Sequence, residues 1–194
     1  MLDHLYDYLQ EKFAISKEDY ILVQQASRKR KLRKGQYILQ EGEICNFVAF
    51  VALGCLRNFR MDEKGQEHIV YFAIENYWTG DRESYVLKEP SKYYIDCVED
   101  SEIILFSREN FELLCAQIPK FGELMNMLIQ KSFIASQNRI HSSISFSAEE
   151  KYQDFLNNHP KLANRIPQNM IAGYLGMTPE TLSRIRNTIK VRNT

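Results

Sequence analysis

The sequence predicts an α+β chain: a helical N-terminal stretch, an antiparallel sandwich or barrel of short strands, one long helix and a C-terminal helix-turn-helix. Three observations lead there. Short β-type runs broken by turn residues fill positions 35–106, and strands at that spacing build antiparallel sandwiches or barrels rather than parallel α/β sheets. After Pro119 apolar residues recur at helical spacing over about 20 residues. Residues 168–186 then read as two short helices joined by a tight turn.

Each element has a local reason. Leu5, Tyr8, Leu9, Phe13, Tyr20 and Val23 sit at helical spacing, so one helical stretch is expected from Leu5 to about Ala26. Tyr37-Ile38-Leu39 precedes a turn at Glu41-Gly42-Glu43, and Phe47–Val51 is an apolar run ending near Gly54. Asp62-Glu63-Lys64-Gly65 is a hairpin turn between Leu56–Met61 and His68–Ile74. Tyr93–Val98 and Ile103–Phe106 are expected to pair around Glu99-Asp100-Ser101. Helix resumes at Ser107. Beyond Pro119, Phe121, Leu124, Met125, Leu128, Ile129, Phe133, Ile134 and Ile140 give a broad apolar face, wider than one small domain needs to cover. A seam between two copies is the expected use of it. After a break at residues 142–145, Ser147-Ala148-Glu149-Glu150 is a capping box that opens a helix over Ala148–Asn157, ended by His159-Pro160.

The two C-terminal helices carry the most specific signal. Ile171 and Leu175 lie one turn apart, and Ala172 is small enough for a second helix to cross closely. Gly176 supplies a position past a helix end where positive φ is easiest. Thr178 suits an N-cap, Pro179 the first helical position, and Glu180 the positive end of the dipole. Leu182, Ile185 and Ile189 then make a core stripe, leaving Glu180, Thr181, Arg184 and Asn187 on a polar face. A short helix with an apolar back and an arginine-bearing front fits a DNA major groove. Arg184 can donate two hydrogen bonds to one guanine, Glu180 can accept from a cytosine amino group, and Thr181 can touch a thymine methyl. Thr178, Ser183, Arg186 and Lys190 are expected to meet phosphates, which position without specifying. Without DNA, Glu180 and Arg184 would be an ordinary surface pair worth roughly 0.2–0.5 kcal/mol.

Charge supports the same end of the chain. Lys plus Arg equals Asp plus Glu at 25 each, which is unpromising for a nucleic-acid partner until it is mapped. From Arg139 onward eight cationic residues face four acidic ones, whereas from Met61 to Lys120 six face thirteen. Electrostatic docking is therefore expected at the C-terminal end. No apolar run approaches the roughly 18 residues of a spanning helix, and Met1-Leu2-Asp3-His4 does not open a signal peptide. No membrane partner is expected. Cys45, Cys55, Cys97 and Cys115 are scattered, so a reduced, cytoplasmic chain is expected.

This order of elements resembles the cyclic-AMP receptor protein/fumarate–nitrate regulator (Crp/Fnr) family of transcription factors. The resemblance covers nearly the whole chain. It is carried by Lys34-Gly35-Gln36 with Gln40-Glu41-Gly42-Glu43, by the glycine in Leu53-Gly54-Cys55-Leu56-Arg57, by the capped helix from Ser147, and above all by residues 166–185. The resemblance implies a cyclic-nucleotide-binding-like double-stranded β-roll (jelly roll) over residues 1–118 and a long dimerisation helix over 119–144. A winged-helix-like helix-turn-helix domain over 145–194 completes it, with a truncated wing because the sequence stops shortly after Ile189. It implies a homodimer on a near-palindromic operator in double-stranded DNA, with RNA polymerase as a possible further partner. Pro179, Glu180 and Arg184 occupy the family's base-reading positions, and Pro179 stands where a basic residue is common.

The effector pocket departs from the family. Cyclic-nucleotide binders carry a Gly-Glu for the ribose and an Arg-Ser or Arg-Thr for the phosphate. Here the matching stretches are Gly80-Asp81-Arg82 and Ser91-Lys92. Asp81 is one methylene short, and Lys92 lacks the planar fork of arginine. Cyclic nucleotide is not expected, and the effector is unknown or absent. An iron–sulfur cluster needs gathered thiolates, whereas successive cysteines here are 10, 42 and 18 residues apart. A haem needs an axial ligand such as His68 or His141, but four isolated histidines form no pattern. No cofactor or metal is expected.

The alternative reading is a small-molecule-binding β-roll of the cupin kind, without DNA binding. It needs two or three histidines and a glutamate around a metal, and Glu67-His68 is the one candidate pair. No Gly-x-Ser-x-Gly or phosphate loop occurs, so an enzyme is not expected. The run Arg28-Lys29-Arg30-Lys31-Leu32-Arg33-Lys34 is read as a solvated face. Trp78, Tyr77, Tyr85, Tyr93 and Tyr94 are read as core or domain-contact residues rather than a ligand cavity.

Overall fold

The computed structural model describes residues 1–192, the last three of them only as the end of a helix. They form two compact units: one of Met1–Arg60 with Val70–Ile129, the other of Met61–Ile69 with the chain from Gln130 on.

In the first unit the expected N-terminal helix is two helices, α1 (Leu2–Phe13) and α2 (Lys17–Gln25). Ala14 turns left-handed with φ 50°, and Ser16 then caps α2 by accepting from Asp19 N; a side-chain cap of this kind restarts a helix. The cationic run is itself a strand, β1 (Ser27–Leu32). Its sequence hid this, because lysine and arginine are weak strand signals. Then follow β2 (Tyr37–Leu39), β3 (Phe47–Leu53), β4 (Leu56–Met61), β5 (Glu67–Ala73), β6 (Trp78–Thr79), α3 (Arg82–Leu87), β7 (Tyr94–Cys97) and β8 (Ser101–Ser107). Two helices come next, α4 (Arg108–Gln117), capped by Ser107, and α5 (Pro119–Ser145).

The strands form two four-stranded sheets, ordered β1-β8-β3-β6 and β2-β7-β4-β5. The cations of β1 thus lie on a sheet edge, where charge discourages pairing with another chain. The expected hairpin of β7 with β8 does not form. The two strands belong to different sheets, β7 pairing with β4 and β8 with β1 and β3. The chain crosses between layers at Glu99-Asp100 because both strands have apolar inner residues: Ile95, Cys97 and Ile103 join Leu32, Leu39, Val51 and Leu56 in one buried core. Pairing them side by side would leave those inner faces without each other. Gly54 permits the crossover beneath it. With φ +96°, its Cβ position lies 2.7 Å from Asp100 O and 2.8 Å from Ser101 Cα, so only glycine fits.

A second core lies on the outer face of the first sheet. Phe50, Ile104 and Phe106 meet Leu5, Leu9, Val23, Phe111 and Phe121 from the helices. Each fully buried apolar side chain of this size stabilises by roughly 1.5–3 kcal/mol. Trp78 packs here, its ring 5.2–6.0 Å from those of Phe50, Phe106, Phe111 and Phe121. Its role is core, as its aromatic surroundings require. On α5 only Phe121, Leu124 and Met125 are buried, whereas Phe133, Ile134, Ile140 and Ile144 are exposed.

The second unit contains the tip of the β4–β5 hairpin, the latter half of α5, and α6 (Ala148–Asn158), α7 (Pro160–Ala163), α8 (Gln168–Leu175) and α9 (Pro179–Arg192). The hairpin turn closes through Asp62 N to Gln66 O and Gly65 N to Asp62 O. The capping box is present: Ser147 Oγ accepts from Glu150 N, and Ser147 N donates to the Glu150 carboxylate. Tyr152, Phe155, Leu162, Ile166, Ile171, Ala172, Leu182 and Ile185 are buried, and α6 packs on α7, α8 and α9. No helix among the described residues is long and apolar enough to cross a membrane.

Candidate functional site

The helix pair α8–α9 is built from local chemistry. Gly176 ends α8 in the left-handed region, φ 66°, and its N–H returns to Ala172 O. Thr178 Oγ1 then accepts from Thr181 N at 3.3 Å, opening α9 one residue later at Pro179. Ala172 is fully buried, which brings α9 close, and Leu182 and Ile185 seat its apolar back. The remaining side faces water: Pro179, Glu180, Ser183, Arg184, Asn187 and Thr188 line one open surface. The N–H of Glu180 itself, at the helix N-terminus, and the Thr178 hydroxyl hold its carboxyl below the usual range, so it is an ionised acceptor.

Thr178, Thr181 and Arg186 do not line this open surface. Thr181 is half-buried, and its Oγ1 accepts from the Thr178 hydroxyl at 3.2 Å. Thr178 is exposed but occupied as the cap. Arg186 is half-buried on the flank. The side chain of Lys190 lies outside the described residues. Conversely, Ser183 shares the open surface with Arg184, and so do Asn187 and Thr188, which complete the i+4, i+7 and i+8 row from Glu180.

Behind α8 lies an aromatic cluster. The Phe155, His159 and Tyr174 rings meet at 5.5, 5.6 and 6.1 Å. Burial pushes the His159 pKa down, Asp154 pulls it up and Arg139 pushes it down again. The folded state therefore binds this proton less readily than the unfolded chain. The associated stability is complete above the ordinary histidine value near 6.5 and is lost as pH falls from there through the depressed folded value. Thermal unfolding followed at pH of about 7.5 and about 5.5 should show a larger acid loss for the natural chain than for His159→Gln. Equal losses would mean that this ring carries no proton linkage.

In the first unit the candidate pocket residues are engaged with one another. Asp81 is 5% exposed and caps α3, Oδ1 accepting from Glu83 N and Ser84 N. Its Oδ2 accepts from Ser91 Oγ at 2.7 Å. Lys92 is exposed and paired with Glu83 at 2.6 Å. Arg82 is exposed in the first turn of α3. Gly80 would place a Cβ 3.2 Å from Phe47 O, and its own carbonyl accepts from the Tyr71 hydroxyl, which also bonds Thr79. Nearby, Arg57 and Asp96 form a buried two-pronged pair at 2.8 and 3.1 Å, which sequence reasoning missed because the partners are 39 residues apart.

The four cysteines form no disulfide with one another, and three are buried. Burial raises the thiols of Cys45 and Cys115, and that of Cys97 to about 11. His68 is exposed on the hairpin and bonded to Asp62 at 3.0 Å. Among the described residues no group of three His, Cys, Asp or Glu could hold a metal ion.

Comparison with known proteins accords with this architecture. Residues 29–118 match the cyclic nucleotide-binding domain family. The chain is 22% identical over 169 residues to the anaerobic regulatory protein of Haemophilus influenzae, covering 81% of this chain and 65% of that protein. It is 25% identical over 172 residues to the fumarate and nitrate reduction regulatory protein of Vibrio cholerae, covering 81% and 67%. The chain thus spans about two thirds of the length of these relatives, which are regulatory proteins rather than enzymes. FixK2 from Bradyrhizobium japonicum superposes with a TM-score of 0.76 at 19% identity, covering 86% of both chains. With a cyclic nucleotide-binding domain over 29–118 followed by the capped helix pair, the chain is similar to regulatory proteins of the Crp/Fnr type.

Proposed function

We propose that this chain is a sequence-specific, homodimeric DNA-binding transcription regulator that reads a near-palindromic operator through α9. The observation that carries the reading is the open surface of α9, where ionised Glu180 and the donor fork of Arg184 stand one turn apart at the start of a capped helix. Glu180 accepts from a cytosine amino group and Arg184 donates to a guanine in the major groove. Thr178, Ser183, Arg186 and Lys190 contact phosphates. Thr181, drawn into the cap, serves the helix start as much as a thymine methyl. Residues 119–144 form the dimer seam, since Phe133, Ile134, Ile140 and Ile144 are exposed apolar groups on one helix. Two copies joined there would read half-sites about 34 Å apart.

The β-roll acts in this reading without a cyclic nucleotide. Asp81 already satisfies two backbone N–H groups and Ser91, and Lys92 already holds Glu83. A ribose or cyclic phosphate would have to displace these contacts and would gain no arginine fork at position 92 in return.

Selection of bound duplexes from a random DNA pool tests both statements. A two-fold motif is expected to be enriched at low and moderate salt, equally with and without cyclic AMP. Arg184→Ala should cost about 1–3 kcal/mol and relax the preference at one base pair, whereas Arg186→Ala should weaken all sequences alike. Binding that depends only on salt would overturn the reading of α9, and enrichment confined to the cyclic AMP arm would overturn the reading of the roll.

A further inference from the structure

Arg139, on α5, lies where three elements of the second unit meet. Its Nη2 donates to Ile69 O at 2.7 Å and to Tyr174 O at 2.8 Å, and its guanidinium stacks over the Tyr174 ring at 4.2 Å. The two carbonyls belong to β5, on the hairpin, and to the last turn of α8. Next to Tyr174, the Cβ position of Gly173 lies 3.2 Å from Glu67 O, so hairpin backbone rests directly on α8. The carbonyl of Tyr174 is one of those a helix end leaves without an internal partner, and a cation there also meets the negative end of the dipole. A planar fork suits this place. One of its nitrogens bridges the two acceptors while its flat face lies on the ring, a face that an ammonium group lacks.

We propose that Arg139 is a positioning residue for DNA recognition: it clamps α8 to α5, with the hairpin carbonyl of Ile69 as second anchor, and so sets the tilt of α9 on the long helix. The inference rests on the proposal that α9 reads DNA and α5 joins the dimer. It assigns Arg139 no contact with DNA. In a two-fold dimer, the tilt of α9 on α5 determines the distance between the two recognition helices, hence the half-site spacing accepted. Base preference within a half-site is left to the surface of α9.

The test uses full-length Arg139→Gln and the milder Arg139→Lys. Each is measured on operators whose half-site spacing is altered by one base pair either way, and by amide hydrogen exchange without DNA. Arg139→Gln is expected to lose about fivefold or more of the discrimination between spacings while keeping its half-site base preference and dimer mass. Amides of residues 172–177 should exchange about tenfold faster. Arg139→Lys should fall between the two, retaining charge without the stacked fork. Unchanged spacing discrimination in both variants would overturn the proposal. So would loss of base preference and spacing discrimination together, in proportion to lost helicity, because that is general destabilisation. If the natural chain selects no operator but exchange still quickens in Arg139→Gln, the DNA-reading proposal fails and with it the recognition role, while the clamp on α8 stands.

Discussion

Asp96→Ala should destabilise the β-roll by about 3–5 kcal/mol, because it leaves a guanidinium buried without its carboxylate. Arg57 and Asp96 are 6% and 5% exposed and face each other in register across β4 and β7. Two parallel hydrogen bonds join them at 2.8 and 3.1 Å, and the guanidinium lies 4.1 Å over the Phe59 ring. Phe59 is fully buried and stacks on Tyr94. The charged pair thus occupies a place that an apolar pair of similar volume would fill without desolvating two ions. The double change Arg57→Met with Asp96→Leu is therefore expected to recover most of the loss. Chemical unfolding followed by Trp78 fluorescence reads both. A single change costing under about 1 kcal/mol would mean that water or another group compensates the charge.

Phe155→Ala should cost the second unit about 3–5 kcal/mol and abolish operator binding at ordinary temperature. Phe155 is 2% exposed and packs on the His159 and Tyr174 rings. It belongs to the same buried set as Ile171, Leu182 and Ile185, so its removal leaves a cavity behind the helix pair that cannot collapse without shifting α9. Trp78 is the only tryptophan and lies in the first unit. Its fluorescence should report an almost unchanged transition, while the helical far-ultraviolet signal shows a new, earlier one. A Trp78 transition that moves by the full amount would mean the two units unfold as one.

Local signals were legible wherever a residue and its near neighbours in sequence decide the conformation. Ser147 with Glu150 forms the predicted box, Gly176 takes the predicted left-handed turn, and Asp62 to Gly65 close the predicted hairpin. The polar surface of α9 was legible for the same reason, because helical spacing alone puts Glu180, Arg184 and Asn187 together. Thr181 shows the limit. Spacing places it near that surface, yet its hydroxyl is drawn into the Thr178 cap, a competition that side-chain geometry decides.

The sequence by itself therefore determined the coarse succession of helix, short strands, long helix and helix pair, the caps at Ser147 and Thr178, and the polar chemistry on α9, since these depend on contacts within a few residues. Only the tertiary structure decided that β7 and β8 part into different sheets, that Arg57 finds Asp96, that Asp81 is satisfied by Ser91 and its own helix, and that Arg139 reaches Ile69, 70 residues away, and Tyr174, 35 residues away. Such partners are chosen by which surfaces meet when the apolar faces are buried, and no periodicity along the chain encodes that choice.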